Sequence, residues 1–195
     1  MNLLLDRCPD MVEINGELYP IRSDFRTSIL FELMMSDPKL NESQKILGAL
    51  NLYYERLPED IQSMPSALKT AISFYNLGKE IDKKDSSNSD ESSELKRKFY
   101  SFEHDSEYIY TSFLTAYGID LAEVDLHWWK FRTLFNNLPE DTIMKKVIEV
   151  RTCKITSKMS KEEKKRLRKL KKIYELPQDQ EVKEQEFNDS LNSMF

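Results

Sequence analysis

The sequence predicts a mainly α-helical protein of about six to seven helices with a short N-terminal β-hairpin. Three observations carry that reading. Apolar residues recur at three- and four-residue spacing through most of the 195 residues. Charged residues make up 32% of the chain and glycines number only four, which favours long, solvated helices over a sheet-rich fold. One Asn-Gly dipeptide, Asn15-Gly16, lies between Val12, Ile14, Leu18 and Tyr19, and this pair favours the positive-φ turn of a tight hairpin.

The hairpin is expected over 11–20. An isolated hairpin is marginal in water, so it must pack on helices or pair with another subunit. Packing on its own domain is the favoured arrangement, with its exposed edges as the alternative route to self-association. Ser23 or Asp24 then caps a helix to about Met35, with Phe25, Ile29 and Leu33 on one face, and Asp37-Pro38 stops it. A second helix runs from about Glu42 to Arg56 with Ile46, Leu50, Tyr53 and Leu57 in register. A third runs from about Pro65 to Leu77 before Gly78.

Residues 79–98 change character. Serines, acids and lysines with almost no apolar residue cannot offset the entropy of ordering, so a flexible loop or linker is expected. The stretch 99–152 that follows holds both tryptophans, both histidines and most of the aromatic mass. Phe102, Ile109, Phe113 and Ala116 share one helical face, as do Trp128, Phe131, Phe135 and Leu138. Gly118 stops the first of these helices, and Asp125 stands where the second would be capped. Leu138-Pro139-Glu140-Asp141 ends it and opens a third, since proline fits a first helical turn and acids suit its positive end. Three helices packed through Trp128 and Trp129 are expected to form a core.

The segment 157–174 is a strongly basic helix with a capping box at Ser160 and Glu163 and a thin apolar stripe of Met159, Leu167, Leu170 and Tyr174. Pro177 ends it, and the acidic, polar residues beyond are expected to be disordered, with a docking end at Leu191, Met194 and Phe195. The chain thus divides into a hairpin and helical lobe (1–78), a polar linker or loop (79–98), an aromatic helical lobe (99–156), a basic helix (157–176) and an acidic tail (177–195). Leu-Pro-Glu-Asp occurs twice, at Leu57 and Leu138. Reuse of one stop-and-start capping motif accounts for this more simply than duplication of a helical unit.

Several function classes are set aside. There is no glycine-rich phosphate loop. His104 and His127 are the only histidines, neither has a cysteine near it in sequence, and zinc needs denser ligands. Nothing around Cys153 has the form of a nucleophile elbow. The carboxylates Glu103, Asp105 and Glu107 are what a helix dipole selects near an N-terminus. No catalytic, metal or cofactor-binding residue is assigned. Cys8 and Cys153 read as free thiols of a reducing compartment, and no stretch approaches the roughly 20 apolar residues of a membrane span. The leucines near the N-terminus are too short a run for a signal-peptide core. With a net charge of −5 the whole chain is no obvious polyanion binder. The lysines and arginines of 161–172 ring most of their helix, and Tyr174 is the sole stacking residue there, so nucleic acid is a weak candidate and an acidic protein partner or bare solvation a better one.

A family resemblance adds to this reading. The residues that carry it run from Phe102-Glu103-His104-Asp105-Ser106-Glu107-Tyr108 through Ala116-Tyr117-Gly118-Ile119-Asp120-Leu121 to Leu126-His127-Trp128-Trp129-Lys130-Phe131. Leu138-Pro139-Glu140-Asp141-Thr142, Arg151-Thr152, Tyr19-Pro20-Ile21 and Asp24-Phe25-Arg26 complete it, with the basic segment 161–172 matching more weakly. In these the chain resembles the family known as bacteriophage gene product fifteen, over most of its length apart from the linker and the tail.

The resemblance implies a non-enzymatic role in tail morphogenesis, in the host bacterial cytoplasm. Genes of this family lie between those of the major tail protein and the tape-measure protein, the position of tail assembly chaperones. The implied partner is therefore the tape-measure protein, with the tail-tube protein and further copies of the chain as additional ones. A structural component retained in the virion is the alternative. The candidate partner-binding residues are Tyr108, Trp128, Trp129 and Phe131 among the aromatics and Lys164, Lys165, Arg168 and Lys172 on the basic helix, the aromatics competing with a purely core role.

Overall fold

The computed structural model describes residues 2–79 and 99–177. Apart from Lys79 and Pro177, the linker and acidic tail expected from the sequence lie outside the described residues. Within them are seven α-helices and one antiparallel hairpin, the mainly α fold that the spacing implied. The chain separates into two compact units, one of residues 1–92 and 120–137, the other of 93–119 and 138–195. The boundary runs through the aromatic stretch 99–156 and assigns its middle to the N-terminal unit.

The first unit begins with β1 (Met11–Ile14) and β2 (Glu17–Pro20), paired antiparallel with Val12 opposite Tyr19 and Ile14 opposite Glu17. Asn15 and Gly16 both adopt positive φ, 50° and 90°, as the two-residue turn requires. The hairpin lies on its own unit. Ile14 is buried, β1 packs on the helix Met64–Tyr75, and the Asn15 side-chain amide donates to Ser63 Oγ at 2.7 Å.

Helix α1 (Phe25–Ser36) starts at Asp24, whose carboxylate accepts the Arg26 N–H. Its buried face is Phe25, Ser28, Phe31 and Glu32, rotated from the expected Phe25, Ile29 and Leu33. The two polar members explain the rotation. Ser28 Oγ pairs with the Tyr53 hydroxyl at 3.0 Å, and Glu32 accepts from the Tyr75 hydroxyl, so their burial costs little. Helix α2 (Glu42–Tyr53) opens on a capping box between Asn41 and Gln44. It ends three residues before the expected Arg56, because Tyr54 leaves the helix to bridge Ile21 and the Arg22 guanidinium donates to the Asn51 carbonyl at 2.7 Å. A cation there meets the negative end of the helix and its unpaired carbonyls. A short 3-10 turn (Ile61–Ser63) leads into α3 (Met64–Tyr75).

The last helix of this unit, α5 (Trp128–Asn136), is capped by His127, not by the expected Asp125. The strand-like exchange on either side of the two caps decides this start. Phe25 N–H donates to the Leu126 carbonyl at 2.9 Å and Trp128 N–H to the Ser23 carbonyl at 2.7 Å, so α1 and α5 begin side by side. Arg26 reinforces the join through the carbonyls of Leu121 (2.8 Å), Val124 (3.1 Å) and Ala122 (3.2 Å).

The second unit contains α4 (Ser106–Tyr117), α6 (Ile143–Thr152) and α7 (Lys161–Ile173). Gly118 closes α4 in the left-handed conformation, as expected. The Leu-Pro-Glu-Asp turn at 138 differs from expectation. It precedes α6 and does not form its first turn, since the Thr142 N–H and hydroxyl both return to the Pro139 carbonyl and the helix begins at Ile143. With the Thr142 hydroxyl so engaged, the Met144 N–H is taken by the buried Ser112 Oγ of α4 at 3.0 Å. At the other copy of the motif Asp60 is itself the cap, so the two turns work differently and give no support to a duplication.

Candidate functional site

The aromatic site residues are resolved by burial. Trp128 and Phe131 have no exposed surface and Trp129 almost none. Phe131 stacks on Phe25 with ring centroids 4.8 Å apart, and Tyr75 stacks on Trp128 at 5.4 Å. The Trp128 indole N–H donates to the Tyr75 carbonyl and that of Trp129 to the Phe74 carbonyl, both at 2.8 Å. These carbonyls lie in the last turn of α3, where intrahelical donors run out, and that of Phe74 also accepts the Leu77 N–H at 3.0 Å. The packing partners therefore come from α3 and α1, not from the sequence neighbours among which the three-helix core was expected. All three side chains are core, and their burial leaves no face for a partner.

His127 has a defined structural task. Its Nδ1 accepts the Trp129 N–H at 3.0 Å and its Nε2 lies 3.0 Å from the Pro9 carbonyl. A carbonyl takes only a donor, so the ring is neutral with its proton on Nε2. Burial holds its pKa below the ordinary value, outweighing the help of the Pro9 carbonyl to the charged form. Among the described residues no group of three His, Cys, Asp or Glu side chains is placed to hold a metal ion. No helix there is long and apolar enough to cross a membrane.

The remaining site residues gather in the second unit. Arg151, at the end of α6, is its junction. It makes a bidentate pair with Asp105, Nη1 to Oδ2 at 2.6 Å and Nη2 to Oδ1 at 2.8 Å, and donates to the carbonyls of Tyr174 (2.6 Å) and Phe99 (3.0 Å). Lys171 returns the contact from α7, its ammonium 2.8 Å from the Arg151 carbonyl. Asp105 also accepts the Ser101 N–H at 2.8 Å. One buried guanidinium thus fixes the start of α4, the end of α6 and the end of α7. Sequence reasoning missed this pair, taking Asp105 for an ordinary early-helix acid. No local pattern ties it to a partner 46 residues away.

Between α6 and α7 lies an open groove of about 490 Å³. Ile143, Val150 and Cys153 line one side, and Met159, Leu167 and Leu170 the other. The apolar stripe read from the sequence is this groove wall, half-buried along its length, and α7 has no fully buried residue. Both arms of the capping box hold its first turn, and the Ser160 N–H draws the Glu163 pKa down. Tyr108 faces Tyr174 edge-on with centroids 5.9 Å apart, at one end of the groove. Lys165, Arg168 and Lys172 are exposed, while Lys164 is half-buried with its ammonium 3.2 Å from the Ser157 carbonyl. Because Tyr174 is turned to Tyr108, the basic helix presents no aromatic face on which a base would stack.

Fold and site together define a mainly helical protein whose recognisable feature is an apolar groove walled by a cationic helix. The model of the bacteriophage Gp15 protein family matches residues 4–176, and the chain belongs to that family. It is not an enzyme family. No curated protein and no solved structure gives a significant match.

Proposed function

We propose that this protein acts without catalysis in phage tail morphogenesis as a chaperone of the tape-measure protein, holding amphipathic helical segments of it until the tail-tube protein assembles. The observation that carries this reading is the α6–α7 groove. Its apolar floor runs the length of a helix–helix seam and lies open, the form that takes an amphipathic helix through anchors at i, i+4 and i+7. The cationic wall restricts the client to segments with acidic flanks. Family membership supplies the context, because tail assembly chaperones are encoded at the position of this family's genes. A single groove of this size binds weakly, so copies arranged along a long client gain from linkage, and the exposed outer strand of the hairpin offers an edge for that.

The test is co-expression with the tape-measure protein, then affinity capture and size exclusion. A soluble complex, with the tape measure insoluble when expressed alone, supports the chaperone role. Absence of a complex, with the protein recovered at fixed copy number in purified virions, replaces it with a structural tail component.

A further inference from the structure

Two apolar features of the first unit have complementary shapes. One protrudes. The Asn2 side chain accepts the Leu4 N–H at 2.9 Å, the Asn2 carbonyl accepts the N–H groups of Leu5 (3.0 Å) and Asp6 (2.8 Å), and the Asp6 carboxylate accepts the Asn2 N–H at 2.7 Å. Residues 2–6 are thereby a closed turn. Leu3 lines a cavity beside α5 with Leu126 and Leu134, whereas Leu4 and Leu5 are 92% and 82% exposed. Because the turn is already braced, burying these two leucines against a partner costs little further ordering.

The other feature is a recess. Helices α1, α2 and α3 enclose about 180 Å³ among Phe31, Met35, Ile46, Ala49, Leu68 and Ile72, of which Met35 and Ile46 are exposed. An apolar cavity of about 150 Å³ takes up a benzene ring, so this one has room for a leucine side chain. Glu42 and Lys45, one turn apart on α2, add a charge of each sign to its lining. The protruding turn carries the matching pair, since Asp6 and Arg7 directly follow Leu5. The leucines do not serve the recess of their own chain. His127 holds the Pro9 carbonyl at the start of α5, beside the start of α1, and Met35 lies about 15 Å further along α1.

We propose that Leu4 and Leu5 of one copy enter the α1–α2–α3 recess of a second copy, with Arg7 set against Glu42 and Asp6 against Lys45. The two surfaces are different patches, so every joined pair keeps one turn and one recess free, and the contact repeats into a head-to-tail series. A single contact is small, which makes the association weak and dependent on concentration. Copies in series suit a long client through linkage. That use rests on the chaperone reading, whereas the contact itself does not.

Sedimentation velocity of the full chain, with no tape measure present, tests the contact apart from the client. The mean mass of the parent is expected to rise with concentration past that of a dimer. Leu4→Asp with Leu5→Asp removes the protruding side, and Ile46→Asp blocks the recess. Each is expected to weaken association at least about tenfold, and all three side chains are exposed, so the fold is retained. Mixed in equal amounts, the two variants form a heterodimer and nothing larger, because one turn and one recess remain between them. Arg7→Glu and Glu42→Arg should each weaken the parent's association, and the two together restore it. A parent that stays monomeric, or that stops at a dimer, overturns the series. Association of the Leu4→Asp, Leu5→Asp variant equal to the parent's assigns self-contact to another surface, such as the hairpin edge, and overturns the proposal, as does a mixture that remains monomeric.

Discussion

Arg151 and Asp105 meet through two hydrogen bonds of 2.6 and 2.8 Å, with the carboxylate almost wholly buried and the guanidinium nearly so. Both ions are desolvated, and the geometry that compensates is the planar fork matched to a carboxylate. Removing one partner strands the other. Asp105→Asn is therefore expected to destabilise the second unit by about 3–5 kcal/mol in a denaturant titration, and Arg151→Lys by a comparable amount because the fork is lost. Asp105→Asn with Arg151→Met recovers part of the loss. A single Asp105→Asn variant within about 0.5 kcal/mol of the parent, the range of an ordinary surface change, would show that the pair is solvated.

The two indole N–H donors do comparable work in the first unit. Trp128→Phe removes the indole donor to the Tyr75 carbonyl, and Trp129→Phe removes that to the Phe74 carbonyl, which also accepts the Leu77 N–H at 3.0 Å. Each is expected to cost about 0.5–1.5 kcal/mol for the lost hydrogen bond, and either tryptophan changed to alanine about 3–5 kcal/mol, by urea unfolding followed through the remaining tryptophan. A Trp→Phe change without effect would mean that water satisfies the carbonyl.

The helices were legible because their signals are local. The Asn15-Gly16 turn, the Ser160–Glu163 box and the stop at Gly118 each depend on residues within a turn of one another, and all stand where expected. What was not legible depended on distant partners. His127 displaced Asp125 as a cap because Ser23 and Phe25 fix the backbone of 126–128. Ser28 and Glu32 are polar, so an apolar-pattern reading put them outside, yet hydroxyls on α2 and α3 make their burial tolerable. The groove shows the same split. Its α7 stripe was read from the sequence, whereas the facing side of α6 and the Arg151 junction that sets their spacing required tertiary contacts.

His127 makes the first unit sensitive to acid. Its folded pKa lies below the unfolded value of about 6.5, so the unfolded chain binds the proton more readily. The contribution is present in full above the unfolded pKa and is lost as pH falls through the folded one, when a proton on Nδ1 abolishes the cap to Trp129. Thermal stability is expected to drop between neutral and mildly acidic pH. His127→Asn, which keeps a capping side chain without a titrating ring, should flatten that slope while retaining most of the stability at neutral pH. An unchanged slope in the variant would move the acid sensitivity elsewhere.

Leu167 and Leu170 separate groove function from folding. Both are only half-buried on a helix with no fully buried residue, so Leu→Glu at either place disturbs the floor of the groove more than the core of the unit. A carboxylate there has to be desolvated when an apolar anchor enters, a cost that falls on the complex and not on the free protein. Leu170→Glu is expected to lower capture of the tape measure at least tenfold, which is about 1.4 kcal/mol of binding free energy, while shifting the melting temperature little. Neutralising Lys165, Arg168 and Lys172 to glutamine should act differently. On the proposed reading these exposed charges would steer encounter, so their loss is expected to slow association and flatten its salt dependence while leaving dissociation nearly unchanged. Surface plasmon resonance on an immobilised acidic amphipathic segment of the client separates the two. Should Leu170→Glu bind as the parent does, the client contacts some other surface and the groove loses its claim.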